Sequence, residues 1–308
     1  MPVVKSKLGR PARTAYHIGN AFAQGVIGAI MLLPYRWRVP FAGWLTAWVA
    51  APLAGFHRRT RRNLALVCPE ISPPRARRLA RAVADNAGRT TIEQLSTGPF
   101  LTRMQSLTPT GAGWQAVTRA RAEGRPVIMC SGHFGNYSVI PVAFQAHGLP
   151  MGLLYRRMAN PYFNRYYTRK IEALGEPCFE QGLEGTRGIV RHLRKGGMLG
   201  ILTDLHAHGG AELKFFGKPA ATALSTAELA LKFNALLVPG YAVRQPDGLN
   251  FKITLHDPIP HSDPATMSQA MNDDLEQMVR THMDQWLWVH RRWKPWMHNG
   301  VVLGTPNG

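Results

Sequence analysis

From residue 126 onward, the chain alternates short apolar runs with longer stretches of helical periodicity. The apolar runs have strand length and occupy residues 126–130, 152–155, 198–202, 236–243 and 251–255. Helical patterns separate several of them, at residues 137–146, 161–174, 185–195 and 225–234. Apolar runs of this length between helices are typical of strands that are buried on both faces. The pattern therefore predicts an α/β fold with a mixed, largely parallel sheet flanked by helices.

Three further helices are predicted outside this alternation. One covers residues 72–98 and is rich in arginine and alanine, and another covers residues 114–123 and ends at Gly124. A last helix is expected over residues 267–288, where helical spacing would put Trp286 and Trp288 on separate faces. We see no internal repeat or low-complexity tract, so residues 66–308 are expected to form one domain.

The first 65 residues differ from the rest in charge. No aspartate or glutamate precedes Glu70, and two uncharged stretches, residues 14–35 and 39–57, lie between basic clusters. Each stretch approaches the roughly 20 residues that span a bilayer, and Trp44 and Trp48 suit its interface. We expect residues 1–65 to form a hydrophobic helical membrane element, either spanning or interfacial; the alternative is a pair of ordinary helices packed on the core. The basic residues that flank these stretches are Lys5, Lys7, Arg10, Arg13, Arg36, Arg38, Arg58, Arg59, Arg61 and Arg62.

The whole chain is strongly basic, with 37 lysines and arginines against 18 aspartates and glutamates and a formal net charge of +19. Such an excess indicates an anionic partner: a nucleic acid, an anionic bilayer surface or acidic substrates. No nucleic-acid module is recognisable, so no nucleic-acid partner is expected. The cysteines Cys68, Cys130 and Cys178 are widely spaced, which argues against a disulfide framework and a structural zinc site.

Two polar residues that follow predicted strands are the candidates for chemistry. His133 comes after the first apolar run and opens a helical pattern, and Asp204 follows the run at residues 200–203. Open α/β sheets place their chemistry in the crevice beyond the carboxyl ends of the strands. A histidine there can act as a general base near neutral pH. The alternatives are a loop histidine without a task and, for Asp204, a turn or helix-cap aspartate.

Several sequence blocks, in this order, carry a resemblance to a known family. They are His133-Phe-Gly-Asn-Tyr137, Tyr155-Arg-Arg157 with Asn160-Pro-Tyr162, Gly200-Ile-Leu-Thr-Asp204, Phe215-Phe-Gly-Lys-Pro-Ala-Ala221, Leu237-Val-Pro-Gly240 and Gln285-Trp-Leu-Trp-Val-His-Arg-Arg-Trp-Lys294. From about Arg59 to Lys294 the chain resembles the bacterial lipid A biosynthesis acyltransferases of the lauroyl/myristoyl type, which belong to the glycerolipid acyltransferases with a His-x4-Asp/Glu motif. The resemblance implies the glycerol-3-phosphate acyltransferase fold and makes residues 66–308 an acyltransferase domain.

The resemblance also implies a reaction. A fatty acyl chain would pass from an acyl carrier protein thioester, or from coenzyme A, to a hydroxyl of an anionic glycolipid such as a lipid A precursor. His133 would take the hydroxyl proton, and a carboxylate five residues on would steady the charged imidazole. Here the fifth residue is Ser138, which carries no charge. Asp204 is the predicted replacement, since in some members an acid of its block is thought to contact the catalytic histidine. Ser138 is either a weak partner of His133 or a plain helix-surface serine.

Neighbouring residues of the same blocks are candidates for substrate binding. Arg156 and Arg157 follow a predicted strand and suit a phosphate group through bidentate hydrogen bonds, unless both are merely solvated charges. Asn136 either takes part in substrate binding or braces the turn of His133 without touching the substrate.

A second set of candidates lies further along the chain. Phe216, Gly217 and Lys218 are expected to form a loop beside the acyl chain, with Lys218 near an anionic group; the alternative places the phenylalanine in the core. His206 and His208 imitate a metal site but lack a convincing further ligand set, so no metal is predicted. The chemistry implied by the resemblance needs no organic cofactor.

The expected partners are acyl carrier protein, an anionic glycolipid acceptor and the membrane, at the cytoplasmic face of the cell inner membrane. Two alternatives stay open. In the first, the same fold serves another lipid acceptor, such as a glycosylated phospholipid or an amino lipid, because pocket shape sets the acceptor. Alternatively, the chain is a catalytically impaired lipid-binding relative in which Ser138 marks lost activity.

Overall fold

The computed structural model describes residues 10–294, 297–298 and 301–302. The helices are α1 (Arg10–Met31), α2 (Tyr35–Leu45), α3 (Ala51–Leu53), α4 (Phe56–Val67), α5 (Pro73–Leu95), α6 (Thr97–Met104), α7 (Ala112–Ala122), α8 (Val139–Ala146), α9 (Pro161–Glu172), α10 (Leu183–Arg194), α11 (Ser225–Lys232) and α12 (Pro264–Thr281), and a π-helical segment, Thr46–Ala50, joins α2 to α3. The strands are β1 (Val127–Ser131), β2 (Met151–Tyr155), β3 (Cys178–Glu180), β4 (Met198–Leu202), β5 (Ala211–Phe215), β6 (Lys218–Thr222), β7 (Leu236–Arg244), β8 (Phe251–Leu255), β9 (Met297–His298) and β10 (Val301–Val302).

The central sheet of the described residues has the strand order β3-β2-β4-β1-β7-β8. Strand β1 runs parallel to β4 and β7, and β2 runs parallel to β3 and β4. Strand β8 runs antiparallel to β7. Every residue of β1 is buried, as its apolar sequence requires. This architecture confirms the predicted α/β fold with a mixed, largely parallel sheet.

The pairing of β1 with β4 determines where the two candidates for chemistry lie. Ser131 pairs with Leu202, and these are the last residues of the two strands. His133 and Asp204 each follow their strand by two residues. Because the strands are parallel, both side chains emerge at the same edge of the sheet.

Five short strands were not predicted: β3, β5, β6, β9 and β10. Strand β3 is an edge strand of three residues, and β5 pairs with β6 in a separate antiparallel hairpin. In β5 the exposed residues Glu212 and Lys214 alternate with less exposed neighbours, so this strand offers no continuous apolar run. Short strands with one solvated face are harder to recognise from sequence than the buried strands of the central sheet.

The last long helix, α12, ends at Thr281, so the prediction of a helix through residue 288 was wrong. Beyond α12, the side chains of Trp286, Trp288 and Trp293 are completely buried. The rings of Trp286 and Trp288 lie 4.8 Å apart. A continuous helix would have put these two rings on separate faces. Because the chain turns instead, all three indoles enter one core.

The N-terminal helices carry a row of exposed aromatic side chains, which we call the aromatic face: Trp37, Phe41, Trp44 and Trp48. Their spacing of three and four residues puts them on one side of the helix. Each is exposed by between 42% and 56% of its surface. Large apolar side chains are seldom exposed in contiguous rows unless they contact a partner or a membrane.

The two sequence stretches considered as membrane spans are each broken in the structure. Helix α1 ends at Met31, and a turn at Gly55 separates α3 from α4. Among the described residues, no single helix has both the length and the apolar character needed to cross a bilayer; the bent pair Tyr35–Leu53 and Phe56–Val67, at 84°, meets these criteria only jointly. Lys5 and Lys7 lie outside the described residues.

Candidate active site

His133 and Asp204 form a hydrogen-bonded pair at the carboxyl ends of β1 and β4. Nδ1 of His133 lies 2.8 Å from Oδ1 of Asp204. The backbone N–H of His133 donates to Oδ2 of the same carboxylate at 2.9 Å. The contact predicted from the sequence is therefore present. Because Nδ1 faces a carboxylate, it carries the proton of the neutral ring and leaves Nε2 as the basic nitrogen.

The carboxylate of Asp204 is enclosed by hydrogen-bond donors. Its side chain is fully buried, and Oδ2 also accepts a hydrogen bond from the indole N–H of Trp286 at 2.9 Å. Burial alone raises the pKa of Asp204, but the charge and hydrogen bonds of His133 and the charge of His290 outweigh it, so the pKa lies well below its ordinary value. Asp204 is thus an anion at neutral pH, which orients the imidazole and stabilises its protonated form.

A buried polar network holds the turn that follows His133. The carbonyl of Gly135 accepts hydrogen bonds from Asn86 Nδ2 at 3.1 Å and from Thr90 Oγ1 at 2.9 Å. Gly135 has a φ of 54°, and a side chain there would collide with the carbonyl of Ala242. Glycine therefore suits this position for both its backbone conformation and its lack of a side chain.

Asn136 belongs to this network and braces the turn. The residue is completely buried, and its Nδ2 donates to Glu93 Oε2 at 2.9 Å. Its Oδ1 accepts the backbone N–H of Ser138 at 3.1 Å. Glu93 in turn pairs with Arg244, with 2.6 Å between Oε1 of the glutamate and Nη1 of the arginine. Of the two interpretations of Asn136, its contacts match the bracing of the turn, through a hydrogen bond to a buried ion pair.

Ser138 bonds to a neighbour other than His133. Gln94 Nε2 donates to the Ser138 hydroxyl at 2.8 Å. In the part of the chain that the structure describes, no hydrogen bond joins Ser138 to His133. The suggested weak pairing of Ser138 with the imidazole is thus not formed, because Asp204 already occupies the Nδ1 side of the ring.

A cavity of about 220 Å³ opens beside His133. Tyr137 and Ser138 line it together with His133. Most of its wall is apolar and comes from β1, β2, β4, α8 and α9 and from the turn after α9, through Met129, Ile140, Met151, Leu153, Tyr167, Ile171, Leu174, Ile201 and Leu202. A lining of this kind suits a hydrocarbon chain.

The two arginines that follow β2 differ in their relation to this cavity. Arg156 lines it and is also solvent-exposed, so this residue lies between the cavity and solvent. Arg157 is exposed as well, but it is not among the described residues that line the cavity. Of the two predicted phosphate ligands, Arg156 is therefore the one that the structure brings to the site.

A second cavity, of about 90 Å³, lies on another side of His133. It shares His133, Tyr137 and Gln94 with the larger cavity. Polar side chains of α5 contribute to its wall, among them Asn86 and Thr90. His133 therefore stands between a mostly apolar space and a smaller space with polar walls.

The predicted loop of Phe216, Gly217 and Lys218 lies in another part of the molecule. Phe216 is 4% exposed, and its ring centroid is 5.4 Å from that of Trp288. Phe216 and Gly217 have φ values of 53° and 67° and form the turn between β5 and β6. Lys218 is the first residue of β6. None of these three residues is among the described residues that line the two cavities beside His133. The turn packs on the tryptophan core instead.

His290 also belongs to the site, although no role was predicted for it from the sequence. Its ring meets that of His133 edge to face, with 4.6 Å between the centroids. Burial, together with the charge of His133, lowers the pKa of His290 to about 4, against the opposing charge of Asp204. The ring is therefore neutral at neutral pH. The only sequence feature that could have indicated a role for His290 was its place in the block 285–294, which was used only for the family resemblance.

His133, Asp204 and His290 offer ligand atoms within 4.8 Å of one another, a spacing that a metal ion can bridge. However, Nδ1 of His133 and both oxygens of Asp204 already take part in hydrogen bonds. The cluster as built is therefore better matched to proton transfer than to metal ligation. The rings of His206 and His208, 5.1 Å apart, lie in the loop that follows Asp204.

The sequence model of a family described as "Bacterial lipid A biosynthesis acyltransferase" matches residues 9–295. A lipid A biosynthesis acyltransferase of Haemophilus influenzae is 24% identical over 180 residues, 58% of this chain and 56% of that protein. The chain thus aligns with little more than half of this relative. The lipid A biosynthesis lauroyltransferase of Escherichia coli is 24% identical over 240 residues, 76% of this chain and 77% of that protein. Lipid A biosynthesis acyltransferase 2 of Shigella flexneri is 22% identical over 285 residues, 87% of each.

Among solved structures, the 1-acyl-sn-glycerophosphate acyltransferase PlsC from Thermotoga maritima matches with a TM-score of 0.36 and 11% identity. The match covers 76% of this chain and 98% of that structure. A TM-score this low supports no argument about a shared fold or function.

Proposed function

The chain belongs to the family of bacterial lipid A biosynthesis acyltransferases, and we propose that it transfers a fatty acyl group from a thioester donor to a hydroxyl of an anionic glycolipid. One observation carries this proposal: a histidine bonded to a buried carboxylate lies on the wall of an apolar cavity. The pair supplies a base, and the cavity supplies room for the acyl chain. The same pair counts against a catalytically impaired relative, because Asp204 provides the negative charge that Ser138 lacks.

In the proposed reaction, Nε2 of His133 removes the proton of the acceptor hydroxyl while the hydroxyl oxygen attacks the thioester carbonyl carbon. The new C–O bond forms as the carbonyl electron pair moves onto the carbonyl oxygen. Collapse of this tetrahedral intermediate breaks the C–S bond, and the imidazolium returns its proton to the departing thiolate. Asp204 remains ionised and stabilises the imidazolium throughout.

Charge supports the choice of donor and acceptor. The chain has a formal net charge of +19, and acyl carrier proteins and phosphorylated glycolipids are acidic. Arg156, between the larger cavity and solvent, is suited to bind a phosphate of either molecule. The proposal therefore takes acyl carrier protein as the preferred donor and a lipid A precursor as the acceptor.

The aromatic face supports a membrane location, which we propose is the cytoplasmic face of the inner membrane. Tryptophan and phenylalanine rows with nearby cations are typical of surfaces that enter the headgroup region of a bilayer. Arg36 lies 5.2 Å from the ring centroid of Trp37, and Arg81 lies 4.8 Å from that of Trp48. These cations would face anionic headgroups while the rings insert.

Vesicle co-sedimentation of the full-length chain tests this location. We expect binding to vesicles that contain phosphatidylglycerol and weaker binding to pure phosphatidylcholine. Replacing Trp37, Trp44 and Trp48 together by serine should reduce binding to both. Leu183→Ser, at a position on α10 that is 68% exposed, is the matched control and should not change binding to either kind of vesicle. Equal losses in both variants would contradict a specific docking surface.

A transfer assay tests the reaction. The purified full-length chain in detergent micelles would be given acyl carrier proteins or coenzyme A carrying acyl chains of several lengths, together with a lipid extract. Mass spectrometry should detect glycolipids that gain one acyl group. His133→Ala should lower the rate by about 10²–10⁴-fold, the usual range for loss of a general base. Equal rates for the wild type and this variant would contradict the proposal.

The same assay separates the open choices of acceptor. His147→Ala is a suitable control, since this histidine is exposed and, among the described residues, its ring hydrogen-bonds to the carbonyl of Leu107, away from His133. Products whose mass identifies a glycosylated phospholipid or an amino lipid, in place of a lipid A precursor, would support acyl transfer but change the acceptor. If no donor yields an acylated lipid, that result contradicts the enzymatic function.

A further inference from the structure

We infer that His290 is a second catalytic histidine, whose ring N–H donates a hydrogen bond to the thioester carbonyl oxygen as that oxygen becomes negative. The inference rests on the proposed function and adds to it the group that stabilises the tetrahedral intermediate. Acyl transfer needs such a donor because charge develops on an oxygen that His133 does not protonate.

The first support is position. The rings of His290 and His133 are in edge-to-face contact, with 4.6 Å between their centroids. One ligand-type atom from each of His133, His290 and Asp204 lies within 4.8 Å of the other two. Because Nδ1 of His133 is bonded to Asp204, its free nitrogen is Nε2. In the inferred arrangement, the substrate carbon attacked by the oxygen that Nε2 deprotonates lies beside the second imidazole.

The second support is an unused polar atom. Nε2 of His290 is buried and has no hydrogen-bond partner among the described residues. Buried polar atoms without partners are uncommon, and each calls for a physical explanation. A substrate oxygen that arrives only in the reaction provides one. Since the ring is neutral at neutral pH, it carries a single N–H, which we assign to Nε2.

The third support is rigidity. The amide of Asn63, on α4, donates to the carbonyls of Trp288 and His290. The backbone N–H of Leu287 donates to the carbonyl of His133 at 2.9 Å, which ties the two histidine segments together. These anchors use backbone atoms, so they survive a change of the His290 side chain. A donor held in place before the reaction needs no reorganisation when charge develops.

The three groups then have separate tasks in the step. The acceptor O–H proton moves to His133, the C–O bond forms, and the carbonyl electron pair becomes the oxyanion. His290 donates a hydrogen bond to this oxyanion and keeps its own proton. When the C–S bond breaks, the oxyanion becomes a carbonyl again and His133 protonates the thiolate.

Two substitutions at position 290 test the role. His290→Phe keeps a flat ring and removes the donor, while His290→Gln retains an N–H near the position of Nε2. We expect kcat to fall by about 10²–10³-fold in His290→Phe, as for loss of one oxyanion donor, and by less than about tenfold in His290→Gln. The KM for the acyl thioester should change little in either variant. The measurement is thiol release from lauroyl-acyl carrier protein and lauroyl-coenzyme A by the full-length chain.

The controls separate catalysis from folding. His282→Gln changes another histidine of the same segment and should retain wild-type turnover. Binding of the thioether analogue of lauroyl-coenzyme A, which cannot react, should be equal in the wild type and in His290→Phe. Weaker binding to the same degree as the loss of kcat would contradict a role confined to the intermediate.

Three other outcomes would overturn the inference. The first is wild-type turnover in His290→Phe, and the second is equal loss in His290→Phe and His290→Gln. The third is loss of wild-type activity on chelation with recovery on adding Zn²⁺, since His290 would then be a metal ligand. Absence of thiol release and lipid product in the wild type contradicts the proposed function itself, so the two failures are distinguishable.

Discussion

His133 and His256 each bond an aspartate through Nδ1, at 2.8 Å to Asp204 and at 2.9 Å to Asp274. The surroundings of the two pairs differ. The Asp204 side chain is fully buried, whereas the side chains of Asp274 and His256 are 19% and 25% exposed. Asp274 also accepts a hydrogen bond from the hydroxyl of Tyr241 at 2.7 Å. His133 lines two cavities, whereas neither His256 nor Asp274 is among the described residues that line them.

The difference shows that a histidine bonded to a carboxylate does not by itself make an active site. His133 and Asp204 stand at the carboxyl ends of two parallel neighbours, β1 and β4, where an open α/β sheet leaves a crevice. His256 follows β8, the antiparallel strand at the sheet edge, and reaches Asp274 on α12. The second pair therefore links two elements of the fold, whereas we propose that the first carries out the chemistry.

The largest predicted contrast is in turnover after matched changes of the two aspartates. Asp204→Asn keeps the shape of the side chain but removes the charge that stabilises imidazolium, so kcat should fall on the order of 10³–10⁴-fold. Asp274→Asn should leave kcat close to wild type, because its partner His256 is not among the described residues that line either cavity. Both are measured by thiol release from acyl thioesters, with thermal unfolding to verify folding. Similar losses in the two variants would remove the distinction between the pairs.

The parts of this arrangement that sequence could predict are the local ones. Each apolar run of β1 and β4 ends just before a polar residue, so the positions of His133 and Asp204 follow from strand pattern and parallel order. His290 could not be placed in this way. Its location depends on the burial of tryptophans that pack against distant residues, such as Phe215 on Trp286 and Trp293.

The misplaced loop has a related physical cause. Phe216 is apolar, and an apolar residue in a turn has the same sequence signature whether it faces an acyl chain or a protein core. Here its neighbours are Trp288 and Trp293, at 5.4 Å and 6.3 Å between ring centroids. Only long-range packing decides between the two environments, and no local pattern reports it.

A smaller contrast should follow when each aspartate loses one aromatic donor. Trp286→Phe removes the indole N–H from Asp204 and also leaves a void in the core, so the free energy of unfolding should drop by about 2–4 kcal/mol. Tyr241→Phe removes the hydroxyl from Asp274 and should lower it by about 1–2 kcal/mol. Turnover should fall about tenfold in the first variant only, since Asp204 would hold His133 less firmly. Denaturant titration and thiol release are the two measurements, and a loss of turnover that follows stability in both variants would argue against a catalytic distinction.

Ser138→Ala should have a weaker effect on the first pair than either change above. The Ser138 hydroxyl accepts from Gln94 and makes no hydrogen bond to His133 in the described part of the chain. Removing it leaves the buried amide of Gln94 without this acceptor, at about 1–3 kcal/mol in stability, while kcat should stay within about threefold of wild type. The ratio of the Asp204→Asn and Ser138→Ala rates measures which residue supports the imidazole. A ratio near one would mean that Ser138 shares the role.

The smallest expected effect is in the pH dependence of stability, where the two pairs should act in opposite directions. The hydrogen bond to Asp274 raises the pKa of His256 above its ordinary value, against burial, and the charges of Asp274 and Asp257 add to it. His256 therefore contributes stability that is fully present below the unfolded-state pKa, about 6.5, and is lost as the pH rises through the folded-state value. The pKa of Asp204 is lowered, so its contribution is present above about pH 4 and is lost as the pH falls further.

Urea midpoints between pH 5 and pH 9 should fall less steeply on the alkaline side in His256→Gln than in the wild type, with no change in turnover at pH 7. An unchanged alkaline slope in this variant would mean that the second pair does not stabilise the fold through its charge, and the contrast with the first pair would then be one of position alone.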